Sequence, residues 1–175
     1  QLAMVLAQRV ENYVAITNAE FERKVIIDYV VNMVEDWQDD YGGDIVVFGD
    51  NSNKMDNKEL ATKYNIPTQS IHFGKYKQAM ITNVNKYLVK QRLLIDNNLT
   101  TLIEQMRGYR RDARGKVVKD DDHGVDALCL ALLGFYYAQE FPNDGVDEQM
   151  IINEVNSKTK KDIDNRSDTQ KIRKF

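Results

Sequence analysis

Cysteine is almost missing from this chain: Cys129 is the one thiol in 175 residues. A lone thiol excludes a disulfide framework and a cysteine-built zinc site, and it fits a reducing cytosol. No apolar run reaches the roughly 18 residues that a membrane span needs, and no secretory signal is visible. No G-x-x-x-x-G-K-[ST] pattern occurs, so the chain carries no P-loop motor. Neither sign of charge dominates. The formal net charge of -3 gives no hint of nucleic acid, so any anionic partner must be met by local clusters of basic residues. With 42% hydrophobic and 29% charged residues, the composition is that of one soluble globular domain with a sizeable core. The chain opens at Gln1, inside an apolar run, and reads as a piece of something longer.

What is present is an alternation of strands and helices. "LAMVLAQRV" and "YVAITNAEFER" predict two antiparallel strands joined by a tight turn at Glu11-Asn12. Apolar residues at 26, 27, 30, 31, 34 and 37 predict a helix over 24–38. "DIVVFGD", 44–50, predicts a buried strand, central and parallel. A short helix at 56–64, a strand at 66–73, and a helix at 76–90 with Met80, Ile81, Val84, Tyr87 and Leu88 on one side follow. Then come a short strand "RLLID", a helix "NLTTLIEQMRGY", a basic hairpin or loop over 109–119, and a helix over 124–139. After Pro142 the chain turns polar and charged. Residues 1–140 are expected to form the domain, and 141–175 a flexible tail. Hairpin strands followed by βα units imply an α/β mixed sheet with helices on its faces.

The chemistry concentrates in "DDDHGVDALCLAL", 120–132. Asp120 and Asp121 read as helix caps or dipole partners. Asp126 does not, because it lies inside the helix beside the stripe Val125, Leu128, Cys129, Leu132, Phe135, Tyr136. Asp122 precedes it by four residues and lies on the same face if the helix starts early enough. Asp50 ends the best strand, and open α/β sheets build their sites outside the carboxyl ends of strands. Convergent carboxylates with oxygen donors suit magnesium or manganese and phosphoryl chemistry. Arg107, Arg110, Arg111, Arg114, Lys116 and Lys119 stand against the single acid Asp112, a segment suited to phosphates or, equally, a solvated hairpin. Lys75 and Lys77 flank Tyr76 and suit a phosphate or a solvated loop. His72 reads as a strand residue. His123 reads as a neighbour of the carboxylates or a helix cap.

"DDHGVDALCLAL" resembles the last motif of the nuclease domain of phage terminase large subunits, with Asp122-His123 matching the family's Asp-His pair and Asp126 its metal-binding aspartate. "VVFGDNSN" resembles the strand that carries the second acidic ligand, which Asp50 matches. "FGKYKQAMITNV" is similar to the family's lysine-containing turn, and "LIEQMRGYRRDARGKVVKDDDH" to the stretch leading to the last motif. The resemblance runs from about residue 2 to 139.

It implies an RNase H-like mixed sheet with helices on both faces and the family's first strand absent from the chain. It implies a metal-dependent endonuclease that cuts concatemeric double-stranded DNA with little sequence preference. The implied cofactor is Mg2+ or Mn2+ in a two-metal site held by Asp50, Asp126 and Asp122. Lys75, Lys77, Arg107, Arg110, Arg111, Arg114 and Lys116 would bind DNA, with His123 and Glu104 as auxiliaries. The implied partners are a packaging ATPase domain of the same parent protein, the portal and the small terminase subunit, in the host cell cytoplasm and without a membrane. Two departures stand out. No residue matches the family's first metal-binding aspartate, which is expected on a strand upstream of Gln1. Gln105, beside Glu104, stands where many members have a glutamate. A junction resolvase of the RuvC type, or a degenerate DNA-binding module, are the rival readings.

Overall fold

The computed structural model describes residues 2–110, 113 and 122–136. The expected hairpin forms, with β1 (Leu2–Val10) antiparallel to β2 (Tyr13–Glu22). In its two-residue turn Glu11 takes φ 53°, the left-handed backbone that a short hairpin turn demands of its first residue. One irregularity matters. Leu6 faces Asn18 and Ala7 faces Ile16, which leaves Thr17 without an opposite residue in the ladder. An extra residue reverses the side-chain parity of a strand. Val14 and Ile16 therefore face the main core before it, and Ala19 and Phe21 after it. Gln8 Nε2 donates to Thr17 Oγ1 at 2.9 Å and ties the bulge down.

The helix expected over 24–38 forms three residues later, as α1 (Ile27–Tyr41). Lys24 at φ 58° turns the chain, and Ile26 stays extended and 68% exposed outside the helix. The helix ends at Gly42, whose φ of 69° suits glycine and whose N–H donates to Gln38 O at 2.9 Å. The run 44–50 reads by sequence as a buried strand, central and parallel; the strand is parallel, and the structure corrects its length and burial. Only Val47–Asp50 is strand, β3, and it is half-buried. It pairs in parallel with β4 (Thr68–Ile71), beyond α2 (Lys54–Thr62), and among the described residues on one side alone. Its other edge faces β1 across a cleft.

The sheet is mixed, as expected, and divided in two among the described residues. One part has the order β1-β2-β5, with β5 (Leu93–Ile95) parallel to β2; the other is β3-β4. Helices cover two sides. Val14 and Ile16 pack with α3 (Phe73–Val89), α4 (Thr100–Gly108) and α5 (His123–Ala131). Val31 and Val34 of α1, Leu60 of α2 and Ile66 form a second cluster, which Met4 and Val47 join from the strands. On β1, Met4 thus serves one core while Val5 and Ala7 serve the other, as alternation requires.

Two further expectations need correction. Leu88 does not share the buried side of α3 with Met80, Ile81, Val84 and Tyr87; it is 43% exposed. The periodicity carries the last helix to Gln139, but α5 ends at Ala131 and a 3-10 turn follows over Leu132–Phe135. Side chains of α3 explain the change. Asn83 Nδ2 donates to Leu132 O at 3.1 Å and Tyr87 Oη to Phe135 O at 2.6 Å, taking carbonyls that a continuing helix would use itself. The tail 141–175 and most of the basic 109–119 segment lie outside the described residues. Among the described residues no helix is long and apolar enough to cross a membrane.

Leu128 of α5 is fully buried at the centre of the main core. Leu128→Ala should destabilise the domain by about 2–5 kcal/mol, the range for deleting a buried leucine side chain. The midpoint of urea unfolding measures it, and a loss below about 1 kcal/mol would mean that this core is not packed as described.

Candidate functional site

The site is built at the start of α5. Asp122 occupies the position just before the helix, yet its side chain makes no capping hydrogen bond. Its carbonyl accepts from Asp126 N at 2.9 Å and begins the first turn. One helical turn apart, the two side chains rise on the same face toward α3. There they meet Lys77. Its Nζ lies 2.9 Å from Asp126 Oδ1, donates to Asp126 Oδ2 at 3.1 Å, and stands 3.5 Å from Asp122 Oδ2. The Phe73 ring lies beside the ammonium, 5.1 Å from ring centre to nitrogen.

The three groups are largely withdrawn from water, with side-chain exposures of 22%, 13% and 27% for Lys77, Asp122 and Asp126. Burial pushes the Asp126 carboxyl up, and Lys77 opposes without fully offsetting it, while the charge of Asp122 adds to the rise. Burial by itself would lower Lys77. The hydrogen bond and charge of Asp126, with Tyr109 and Asp122, outweigh it, so the ammonium is held charged. Asp122 Oδ2 and Asp126 Oδ1 are buried and accept no well-directed hydrogen bond. The nearby ammonium charge compensates them.

Gln105 is the residue whose role the sequence leaves open. Its Oε1 accepts from Gly124 N at 2.7 Å, so α4 supplies the cap that Asp122 does not. Gly124 has to be glycine for this clasp. A Cβ there would stand 2.6 Å from Gln105 Oε1 and 2.8 Å from the Phe21 ring. Tyr109 ends the same region. Its hydroxyl is buried without a hydrogen bond, and Lys77, Cys129, Asp126 and Asp122 act on it electrostatically. Nothing in the sequence marks Tyr109 as more than a packing or stacking residue. The Cys129 thiol, buried behind Asp126, is pushed up to about 12, chiefly by burial, which makes it an inert core residue.

Asp50 approaches from the other side. It ends β3, and its Oδ2 accepts from Ser52 Oγ at 2.6 Å. Its backbone carbonyl accepts from Asn57 Nδ2 at 2.9 Å, and the same amide donates to Ser70 Oγ of β4 at 3.1 Å. Asn57 is 7% exposed and packs so closely on Gly49 that a Cβ at 49 would collide with it. This buried amide fixes the end of β3, and it is invisible in the sequence because it lies in a short polar helix. Asp50, His123 and Asp126 all line the cleft of about 800 Å³ between β1, β3, α1 and α5.

The other expected residues divide. His123 and Glu104 are exposed, His123 at the cleft wall and Glu104 on α4. Lys75 is exposed, and its Nζ donates to Tyr76 Oη at 2.8 Å. Arg107 and Arg110 are exposed at and just beyond the end of α4. Arg111, Arg114, Lys116, Lys119, Asp120 and Asp121 lie outside the described residues. Lys77, expected on DNA, has its ammonium turned inward to the carboxylates.

A divalent cation is the group this donor set suits: anionic oxygens, two of them buried with unused acceptor capacity, around a positive charge. Among the described residues no three His, Cys, Asp or Glu side chains close on one point. Oxygen chemistry therefore fits a magnesium or manganese ion, and the ligand count is short by at least one group.

No protein-family profile matches the sequence, and no curated protein matches it. Solved structures do. The large terminase nuclease of the thermophilic phage G20c aligns with a TM-score of 0.55 at 20% identity, over 75% of this chain and 81% of that one. The nuclease domain of g2p, the large terminase of bacteriophage SPP1, solved with bound Mn, gives 0.57 at 15%, over 74% and 76%. The large terminase nuclease domain of Thermus phage P74-26 gives 0.53 at 20%, over 75% and 78%. At these identities the likeness is one of fold. The chain has the mixed α/β fold of phage large terminase nuclease domains, as the sequence motifs predict.

The Gln105 clasp is open to direct measurement. Gln105→Ala should cost about 0.5–2 kcal/mol, as the loss of a helix cap does, whereas Glu104→Ala next to it should stay within about 0.5 kcal/mol. Equal effects of the two substitutions on urea unfolding would contradict the assignment of Gln105 as the cap of α5.

Proposed function

We propose that this chain is the nuclease domain of a phage DNA-packaging terminase large subunit, and that it hydrolyses phosphodiester bonds in double-stranded DNA with a divalent metal. The observation that carries the reading is the meeting of Asp122 and Asp126 on one cation, with Asp126 lining the cleft that Asp50 also lines, within a fold shared with terminase nucleases. Asp126 and Asp50, with Asp122 assisting, would hold Mg2+ or Mn2+. The SPP1 domain was solved with manganese. When bound, such ions supply an activated water and stabilise the leaving oxygen. The residues of the chain do the rest. α5 carries Asp122 and Asp126 in fixed register, Gln105 holds that helix end in place, and Asn57 holds Asp50.

Phosphates would be met by Lys75, Arg107 and Arg110, which are exposed, and by Arg111, Arg114 and Lys116 in the adjoining segment. Such contacts neutralise the backbone and read little sequence. A further carboxylate completes the proposal. The facing edges of β1 and β3 pair with no strand among the described residues. An extended segment of the parent protein seated between them would join the two parts of the sheet and end beside Asp50. An aspartate there would supply the missing ligand. The shortage of a third converging carboxylate equally favours a second reading, a DNA-binding module without catalysis, and metal titration distinguishes the two.

Asp126→Asn should abolish manganese binding and plasmid nicking while circular dichroism stays close to that of the parent, with the unfolding midpoint lowered by loss of the pair with Lys77. Full nicking in manganese by a well-folded Asp126→Asn protein would remove Asp126 from the metal site. Neutralising Arg110, Arg111 and Arg114 together should weaken duplex binding alike on unrelated sequences. The slope of log affinity against log salt should flatten by about 0.9 for each phosphate no longer neutralised. An unchanged slope would mean that this segment does not touch DNA.

A further inference from the structure

We infer that Lys77 is a built-in countercation that occupies, in the metal-free chain, the place between Asp122 and Asp126 where a divalent ion binds, and that the ion must expel it to enter. The inference rests on the metal reading above and goes beyond it, because it assigns the lysine a task opposed to metal binding. The geometry is specific. The ammonium reaches both oxygens of Asp126 and stands near Asp122 Oδ2. Its flank is closed by the Phe73 ring, and it is too withdrawn from water to be a surface lysine resting on a carboxylate. The partner oxygens Asp122 Oδ2 and Asp126 Oδ1 have no hydrogen-bond donor of their own. Without a cation, two half-buried carboxylates one helical turn apart would repel in a medium that screens them poorly. Lys77 relieves that repulsion and lets the site fold before any metal arrives.

The formal charges show what the exchange does. Two carboxylates and one ammonium leave one net negative charge at the site. A divalent ion between the carboxylates, with the ammonium withdrawn, leaves the carboxylates neutralised and the ammonium free to act as one net positive charge. Lys77 lies in the first turns of α3, next to the exposed Lys75. Its long flexible stem lets the freed ammonium swing to the surface, where it adds to the basic groups that meet phosphate. Metal entry thereby turns a site that repels DNA into one that attracts it. Lys77 is on this account a positioning residue in the resting state and a phosphate contact in the loaded one.

The test is metal affinity, measured by calorimetry with Mn2+ alone on the full chain, in parallel with melting. Lys77→Met keeps the stem and removes the charge. It should bind Mn2+ about tenfold to a hundredfold more tightly than the parent, the range that one charge-assisted hydrogen bond commands. It should also melt lower without metal and gain more from Mn2+ than the parent does. Lys77→Arg, which keeps the charge, should retain the weak affinity of the parent. Equal or weaker Mn2+ binding by Lys77→Met overturns the inference and leaves the metal reading standing. Absence of binding by both proteins overturns the metal reading and the inference with it. Should Lys77→Met fail to fold, the unmodified chain answers by acetic anhydride labelling read by peptide mass spectrometry. Labelling at Lys77 should be slow without metal and rise severalfold with saturating Mn2+. Labelling at Lys77 that stays unchanged or falls on adding Mn2+ overturns the inference.

Discussion

The ion pair between Lys77 and Asp126 is the interaction on which the site depends. It joins α3 to α5 across 49 residues of sequence at a place where neither side chain meets much water. A buried carboxylate left alone would protonate or pull the helix end outward. With the ammonium in place, the start of α5 stays docked, Gln105 can close on Gly124, and Tyr109 packs beside the pair. The remainder of α5 then buries Val125, Leu128 and Cys129 as core. One helix thus serves two needs at once: its apolar stripe anchors the fold, and its polar edge carries the paired carboxylates.

Much of this is readable in the sequence, and the reasons differ by residue. Asp126 stands out because a carboxylate interrupting an apolar helical stripe has a cost that needs an explanation. Asp50 stands out because it ends an apolar run. The hairpin is legible from two β-rich stretches around a short polar turn. What escapes detection depends on partners distant in sequence. Lys77 reads as a surface base until Asp126 is brought to it by the packing of α3 on α5. The end of α5 at Ala131 is set by Asn83 and Tyr87, on a helix far earlier in the chain. The bulge at Thr17 shifts no hydrophobic count and shows only in the ladder. Gln105 and Asn57 act through single amide groups, and an amide in a polar helix gives no local sign of what it touches.

The two core clusters also hold the two parts of the sheet together. Leu60 of α2 and Val31 and Val34 of α1 grip β3 and the middle of β1 from one side. The α5 helix contacts both strands from the other. β1 and β3 are therefore held in place by helices above and below, without hydrogen bonds to each other among the described residues. Among the described residues, side-chain packing spans the opening. Asp50 and Asp126 come to the same cleft because of this bridging, and the relative placement of these two acids is only as firm as the helix packing.

The opening also governs how the chain behaves in isolation. Residues 2–8 of β1, "LAMVLAQ", carry no charge and no proline, two of the devices by which proteins blunt an exposed edge. Among the described residues, their backbone N–H and C=O groups on the cleft side pair with no strand, and they face the unpaired edge of β3. Such an edge templates extended backbone of almost any sequence. A strand lent by another copy is one way in which such an edge is satisfied. A segment filling the opening would protect solubility as much as it completed a sheet.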